Sequence, residues 1–295
     1  MKAKAKENLS GYLFVLPSLI GFTIFMLFPV LFSLILSFCD WDLVSGFTNI
    51  KFIGLNNFID IWNDTGFIQA LKNNFIYTIV VVPVTMVFSL ILAIILNNKV
   101  YGKKPLRLLF FLPHISNVVA VSIIWMALYH PTLGPINQFL ASIGISRPPQ
   151  WLADPNWALP AIMAMTIWMG IGYDLIVYMA GLQGIPNQLY EAAEIDGANH
   201  FMKFFHVTLP LLSPTTFFLF VTRIITSFQV FGPINVMTEG GPAGATTVLV
   251  FEIYKQGFKY YKFGYASAIA WVLFVIIFLI TIIQWNRQNK WVTYN

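Results

Sequence analysis

Two charged side chains, Asp174 and Arg223, stand inside stretches that are otherwise apolar and uncharged. A charge near the middle of a membrane helix costs on the order of 3 kcal/mol by insertion scales, so it should face the protein interior, water or a partner. We predict that these two residues form an ion pair between neighbouring helices. The alternative is that one or both contact a solute directly.

A second group of charges lies in a short connection between two apolar stretches. Glu191, Glu194 and Asp196 are set among alanines, and Gly197 follows directly. Asn187 is the predicted helix N-cap, and acidic residues in the next turns suit a helix N-terminus. The composition predicts a short helix whose small side chains would let a partner surface approach its backbone closely.

The same connection continues into a second predicted helix, at about residues 199–208. Gly197 permits a sharp change of direction between the two helices, and Pro210 suits the first turn of the apolar helix that follows. The pattern therefore predicts a helix, a glycine hinge and a helix, held between two apolar stretches. Such an element can convert a push into movement of the helices beside it.

Other constellations that carry chemistry are missing from the sequence. It contains no G-x-x-x-x-G-K-[ST] phosphate loop and no nucleophile elbow. The four histidines, His114, His130, His200 and His206, have no metal-ligand spacing. We therefore expect neither a metal site nor an enzyme. Energy for uphill movement would have to come from an ion gradient or from another polypeptide.

The composition places these residues in a membrane. The chain is 58% hydrophobic and 10% charged, and a helix needs roughly 20 apolar residues to cross the bilayer core. The long runs are apolar on all sides, unlike the alternating strands of a barrel. We predict six spans, at residues 11–38, 74–97, 107–129, 157–181, 210–232 and 263–285. The predicted fold class is an all-α polytopic membrane protein with six transmembrane helices.

The positions of lysine and arginine predict the orientation of the spans. Positive residues, Lys99 among them, cluster before span one, between spans two and three, and after span six. We therefore expect both termini in the cytoplasm, with residues 1–10 as the N-terminal segment, 11–285 as the six-helix membrane domain and 286–295 as a tail. The connection at 182–209 is then cytoplasmic too.

The formal net charge of +5 does not predict nucleic-acid binding, because the basic residues are spread over the loops and form no groove. We attribute the charge to membrane topology. The lipid bilayer is the expected partner surface, and nucleic acid is not. A single cysteine, Cys39, excludes an intrachain disulfide.

The charged connection resembles the EAA loop of bacterial ABC-importer permeases, through Glu191-Ala192-Ala193, Gly197 three residues beyond Glu194, and Thr208-Leu209-Pro210. In that family the first helix of the loop docks in a groove on a separate ATPase. The resemblance implies a set of ATPase-coupling residues: Glu191, Ala192, Ala193, Asp196, Gly197, Leu209 and Pro210. It also implies that this chain binds no cofactor, since ATP and Mg²⁺ belong to the partner ATPase.

A narrower resemblance, to the carbohydrate-uptake permeases, covers nearly the whole chain. Among the motifs that carry it are Phe52-Ile53-Gly54-Leu55-Asn56-Asn57-Phe58 and Thr238-Glu239-Gly240-Gly241-Pro242. It implies three partners: a second homologous permease subunit, two copies of an ABC ATPase, and an extracytoplasmic solute-binding protein. It also implies a multi-pass location in the inner or plasma membrane of a bacterium or archaeon.

The same resemblance implies a solute pathway near the ends of the third and fifth spans. With the two intramembrane charges, the residues implied are Tyr129, His130, Asp174, Arg223, Ser227, Phe228, Gln229 and Phe231. Packing between permease subunits is the alternative role for such positions, because small and polar residues also mediate helix association. Asp174 departs from the family pattern, in which Asn is usual.

The function implied is a permease subunit of a binding-protein-dependent ABC importer. It would form half of the pathway for a sugar or sugar-like solute and couple transport to ATP hydrolysis in a separate ATPase. One alternative is an ion-coupled secondary transporter that uses Asp174, and another is a membrane-embedded enzyme. Secondary transporters typically contain inverted repeats, and no clear repeat relates residues 1–150 to residues 151–295.

Overall fold

The computed structural model describes residues 2–42, 46, 49–97 and 102–293. Lys99, which entered the prediction of orientation, lies outside the described residues. So do position 1 and positions 294–295 of the predicted terminal segments.

Helices dominate the described part of the chain. They are α1 (Lys2–Phe22), α2 (Phe28–Leu36), α3 (Asn56–Asn63), α4 (Thr65–Asn97), α5 (Lys103–Ile115), α6 (Val118–Leu128), α7 (Pro135–Ser142), α8 (Ala158–Gln183), α9 (Asn187–Ile195), α10 (His200–Lys203), α11 (Leu209–Leu211), α12 (Ser213–Phe228), α13 (Gly232–Met237), α14 (Leu249–Tyr254) and α15 (Phe263–Gln288). Short π-helical turns follow α1, α10 and α14, at Thr23–Leu27, Phe204–Thr208 and Lys255–Lys259. Two short strands, β1 (Cys39–Asp40) and β2 (Lys51–Phe52), pair antiparallel.

The chain divides into two compact units, Met1–Asp64 with Ile253–Val272 and Thr65–Glu252 with Leu273–Asn295. In the first unit, the side-chain amide of Asn57 donates to the backbone carbonyls of Ser37 and Cys39, at 3.0 and 2.9 Å. This buried amide joins α3 to the end of α2 and to β1.

In the second unit, α8 packs against α4, α5, α12 and α13. Close approach to α5 depends on Gly172, because a Cβ at this position would overlap the Phe110 carbonyl oxygen. Ser89 of α4 donates to the carbonyl of Ile171 at 3.1 Å. Small residues let helix backbones approach closely in a membrane, where apolar burial alone does not hold helices together.

Two adjacent asparagines in α4 form hydrogen bonds to the backbone of residues 244–249. The Asn73 amide donates to the carbonyls of Gly244 and Thr247, at 3.0 and 2.9 Å. Asn74 accepts from the N–H of Leu249 at 3.0 Å. The second predicted span was expected to begin at residue 74, at the start of a long stretch without formal charge. α4 instead begins at Thr65, since these amides are buried and satisfied inside the unit.

The predicted spans correspond to apolar helices in the structure. Gly11–Leu36, Thr65–Asn97, Ala158–Gln183, Ser213–Met237 and Phe263–Gln288 are long and apolar enough to cross a membrane. A sixth candidate is the bent pair formed by α5 and α6. Over the described residues, six spans are obtained when this pair is counted as one.

The third predicted span, at 107–129, corresponds to a bent helix pair and not to one straight helix. α5 and α6 meet at a bend of 99°. Ser116 is extended, and the Asn117 side chain caps α6 by accepting from the N–H of Val119 at 2.8 Å. Asparagine competes with the helical backbone in this way and starts a new helix. Hydropathy alone does not detect the break, because both flanks are apolar.

The last described residues fold back onto α12. Trp291 contacts the ring of Phe217 at a centroid distance of 5.9 Å, and the N–H of Thr293 donates to Ser213 Oγ at 2.8 Å. The segment predicted as a tail, 286–295, therefore begins inside α15 and contacts α12 through Trp291 and Thr293.

We expect Gly172→Ala to lower the free energy of unfolding by about 1–3 kcal/mol, because the added methyl group would overlap the α5 backbone. The measurement is the unfolding midpoint of the purified protein in detergent. Gly21→Ala is the matched control, since a Cβ at Gly21 meets nothing within 4 Å. Equal midpoints for the two variants would contradict the close approach of α5 and α8.

Candidate functional site

The glycine hinge predicted after α9 is present. Gly197 has φ of +80°. Its N–H donates to the Glu194 carbonyl at 3.0 Å, and the N–H of Ala198 donates to the Ala193 carbonyl at 2.8 Å. These are the two bonds of a Schellman helix end, whose left-handed residue is usually glycine because it lacks a Cβ. The chain therefore turns sharply here.

The start of α9 differs from the prediction in one residue. Pro186 occupies the N-cap position with an extended backbone, and Asn187 is the first helical residue. No side-chain cap bond is made there. The prediction of Asn187 as the cap is wrong, because a capping residue needs the extended conformation that Pro186 already supplies.

The predicted second helix, at about 199–208, is confirmed as α10 and the π-helical turn that follows it. Asn199 caps it by accepting from the N–H of Met202 at 2.9 Å. The turn Phe204–Thr208 then leads into α11, where Leu209 is the first residue and Pro210 the second.

Two side-chain contacts tie the halves of this element together. Lys203 Nζ lies 2.5 Å from Glu194 Oε1, and the hydroxyls of Tyr190 and Thr208 are 3.0 Å apart. The Lys203 ammonium lowers the pKa of the Glu194 carboxyl. Glu194 is exposed, so water screens the pair and its main effect is on geometry.

The element, which we call the coupling element (residues 187–209), presents apolar and acidic side chains to its surroundings. No residue of α9 or α10 is buried. Ile195 is 87% and Phe201 77% exposed. Large apolar side chains displayed together in this way indicate an interaction surface.

A cavity of about 640 Å³ opens beside α9, between the ends of α4 and α8 and the second helix of the coupling element. Glu191 and Glu194 line it. Ala192, Asp196 and Gly197 are exposed close by on α9 and its end, and Ala193 is half-buried. Leu209 and Pro210 line a separate hollow with Trp291. The predicted coupling residues are thus divided between two surfaces.

The second site is inside the second unit, where Asp174 of α8 meets Arg223 of α12. Arg223 Nε donates to both carboxylate oxygens, at 2.8 and 2.9 Å, and Nη2 lies 2.7 Å from Oδ1. Nη2 also donates to the Gly170 carbonyl at 2.7 Å. The predicted ion pair is confirmed. The Asp174 side chain is fully buried behind the guanidinium.

A cavity of about 280 Å³ lies beside this ion pair, and we call it the ion-pair cavity. Three of the predicted pathway residues, Arg223, Ser227 and Phe231, line it. Ser227 is buried and contacts Thr78 through a 2.9 Å hydrogen bond. Its role there is helix packing as well as lining.

The other predicted pathway residues lie elsewhere in the second unit. Tyr129 is buried and donates to the Ala161 carbonyl at 3.0 Å. The His130 ring accepts from the N–H of Leu133 at 3.1 Å. Phe228 is buried against Phe75, and Gln229 is exposed just after α12. None of these four predicted residues lines the ion-pair cavity.

Sequence reasoning missed several residues of this cavity, notably Tyr77, His114, Thr166 and Thr226. A single hydroxyl in an apolar helix leaves no periodic signal, and His114 was considered only as a metal ligand. Among the described residues, no group of three or more His, Cys, Asp or Glu side chains could hold a metal ion.

These features define a class. Several apolar spans, a buried ion pair and an exposed bent helix pair are the parts of a multi-pass membrane transport subunit. Residues 65–288 match the family described as "Binding-protein-dependent transport system inner membrane component", and the chain belongs to that family. It is thus a permease component of the inner membrane, and not an enzyme. Family membership favours this function over an ion-coupled transporter.

Named relatives agree with this assignment. The chain is 40% identical to the "Probable ABC transporter permease protein YesP" of Bacillus subtilis (strain 168), over 98% of this chain and 93% of that protein. It is 37% identical to the "Lactose transport system permease protein LacF" of Rhizobium radiobacter, over 97% and 96%.

A solved structure shares the fold over nearly the full length. A chain of the bacterial alginate ABC transporter, in complex with an alginate pentasaccharide-bound periplasmic protein, superposes with a TM-score of 0.85 at 26% identity. The match covers 98% of this chain and 97% of that chain.

We expect Asp174→Leu to lower the free energy of unfolding by about 3–5 kcal/mol, because it leaves the Arg223 charge buried without its partner. The double variant Asp174→Leu/Arg223→Leu should recover most of this loss, since it removes both charges together. Equilibrium unfolding in detergent measures the cycle. Strictly additive losses from the two single variants would show that the pair does not couple α8 to α12.

Proposed function

We propose that this chain forms half of the translocation pathway of an importer for a sugar or sugar-like solute. The other half would be a second, homologous permease subunit, with two copies of an ABC ATPase and an external solute-binding protein. Relatives named for lactose and for sn-glycerol-3-phosphate transport, and the alginate transporter, support this class of solute.

The observation that carries the proposal is the exposed coupling element. Glu191 and Ala192 lie on a helix without a single buried residue, beside a cavity wide enough to receive side chains of a partner. Ala192 lets that partner come close to the helix backbone. We assign Glu191, Ala192, Ala193, Asp196 and Gly197 to ATPase docking on the cytoplasmic side, and Leu209 and Pro210 to transmission into α12.

In transport, this chain holds the solute pathway in place and transmits movement of the ATPase to its own membrane spans. ATP and Mg²⁺ bind the partner ATPase, whose closure pushes on α9. The glycine hinge, the Lys203–Glu194 ion pair and the Tyr190–Thr208 hydrogen bond transmit this movement to the adjoining spans. The permease must only offer solute different contacts in its two states, because a ligand shifts an equilibrium by its differential affinity alone.

The proposed solute pathway includes the ion-pair cavity and the predicted residues outside it. Arg223, Ser227 and Phe231 line the cavity. Tyr129, His130, Phe228 and Gln229 stay predictions for other stages of passage.

We expect Glu191→Ala to reduce ATPase stimulation by the solute-loaded binding protein about tenfold, in the range typical of coupling between sites. Gly197→Pro should act in the same direction, because proline cannot adopt φ of +80° and lacks the N–H that bonds Glu194. The assay is ATP hydrolysis by the reconstituted complex.

Asp60→Ala is the control for this assay, because Asp60 is an exposed acidic residue of α3, far along the chain from the coupling element. It should leave stimulation unchanged, and all three variants should retain attachment of the binding protein. Full stimulation in Glu191→Ala would count against the coupling role.

Cysteine labelling should place the coupling element in the cytoplasm. Ala192→Cys should resist a membrane-impermeant maleimide in right-side-out vesicles and react once they are opened. Leu133→Cys, at a residue 74% exposed in a loop expected outside, should react in both. The natural Cys39 is buried and adds little background.

In opened vesicles, a bifunctional cross-linker on Ala192→Cys should capture the ATPase, whereas Leu133→Cys should not. Labelling of Ala192→Cys from outside would overturn the proposed orientation.

A further inference from the structure

The ion-pair cavity carries hydrogen-bond donors that the described part of the chain does not use. Tyr77 of α4, His114 of α5 and Arg223 of α12 all line it. The His114 ring contacts Phe111 and Tyr173 through ring packing, at centroid distances of 5.7 and 5.2 Å. Donors from three helices therefore converge on one space.

Arg223 has two N–H groups to spare. Its guanidinium offers five donors, and the Nε and Nη2 donors are directed at Asp174 and Gly170. Nη1 makes no hydrogen bond within the described residues, and it lies beside Gly170 at the cavity wall. The free edge of the guanidinium is available to a ligand.

Tyr77 provides a second and independent indication. Tyr77 is only 1% exposed, and within the described residues its hydroxyl makes no hydrogen bond of normal length and angle, although Thr166 lies close by. The neighbouring Thr166 hydroxyl donates to the Ile162 carbonyl at 2.9 Å. A buried hydroxyl without a partner is destabilising, so a ligand acceptor in the cavity would offset this cost.

The electrostatics favour an anionic acceptor. The Asp174 side chain is fully buried and does not line the cavity, whereas Arg223 does, so the cavity borders the positive member of the ion pair. The two remaining N–H groups of Nη1 can donate charge-assisted hydrogen bonds to carboxylate or phosphate oxygens. The remaining wall includes Val81, Val82 and Val230, which suits the apolar face of a sugar ring. A volume of about 280 Å³ is near the lower limit for ligand sites and matches one small unit.

We propose that the ion-pair cavity is a subsite for one acidic carbohydrate unit, whose anionic group accepts hydrogen bonds from Arg223 Nη1 and Tyr77 Oη. The inference rests on the proposed function, because it assumes that solute enters this cavity. It adds the chemical class of the solute: a carbohydrate that bears a carboxylate or a phosphate.

The test uses the importer complex purified through a tag on this chain, in lipid nanodiscs and without the binding protein. The probes are methyl β-D-glucuronide, sn-glycerol 3-phosphate and the neutral methyl β-D-glucoside, and binding is followed by saturation-transfer NMR titration. At least one anionic probe should bind about tenfold more tightly than the glucoside, as expected for a charge-assisted hydrogen bond. The tighter of the two anionic probes distinguishes carboxylate from phosphate.

Tyr77→Phe removes only the hydroxyl and should weaken the anionic probe about tenfold, with little change for the glucoside. Tyr178→Phe is the matched control, because Tyr178 is equally buried, at 1% exposure, and lies outside the cavity. It should bind as the unmodified complex does.

Equal binding of glucuronide, phosphate and glucoside would overturn the proposal, as would absence of binding or an anionic affinity that Tyr77→Phe leaves unchanged. These outcomes are separate from failure of the proposed function. A permease for neutral sugars would still lose ATPase stimulation in Glu191→Ala and would still cross-link through Ala192→Cys.

Discussion

The ion pair between Asp174 and Arg223 is the interaction on which the second unit most depends. In a bilayer, apolar side chains gain little by leaving lipid for a neighbouring helix, so apolar contact alone specifies helix register weakly. A carboxylate held by two guanidinium nitrogens in the interior specifies it strongly, because any slip would leave an unpaired buried charge. The pair therefore fixes α8 against α12 in height and in rotation.

The same two helices flank the coupling element. α8 ends at Gln183 and α9 begins at Asn187, whereas the π-helical turn after α10 passes through α11 into α12. A force on the exposed surface around Ile195 and Phe201 thus reaches both helices that the ion pair joins. Because packed elements move as rigid bodies rather than by continuous bending, this tie lets α8 and α12 respond together.

The features that could be predicted from the sequence are those whose absence would cost much free energy. Two isolated charges in apolar runs required a partner, and Gly197 among acidic residues required a turn. The sequence-based prediction failed where a helix break or a buried contact depends on a single polar residue that does not change the hydropathy pattern. Asn117 breaks the third span by capping a helix between two apolar flanks. The second predicted span starts at residue 74, yet α4 begins at Thr65, and Asn74 is buried because Leu249, far along the chain, donates to its side chain. Such partners are not visible in hydropathy.

In the proposed subsite, Tyr77 would connect solute affinity to the position of α12. Tyr77 belongs to α4, and the free guanidinium edge belongs to α12. A ligand held by both is sensitive to any displacement of α12 relative to α4, since hydrogen bonds weaken steeply with distance and angle. Movement of α12 driven through the coupling element would therefore change solute affinity without any chemistry in this chain. Differential affinity between two arrangements is the only means by which a bound solute can influence their equilibrium, and donors placed on separate helices provide it.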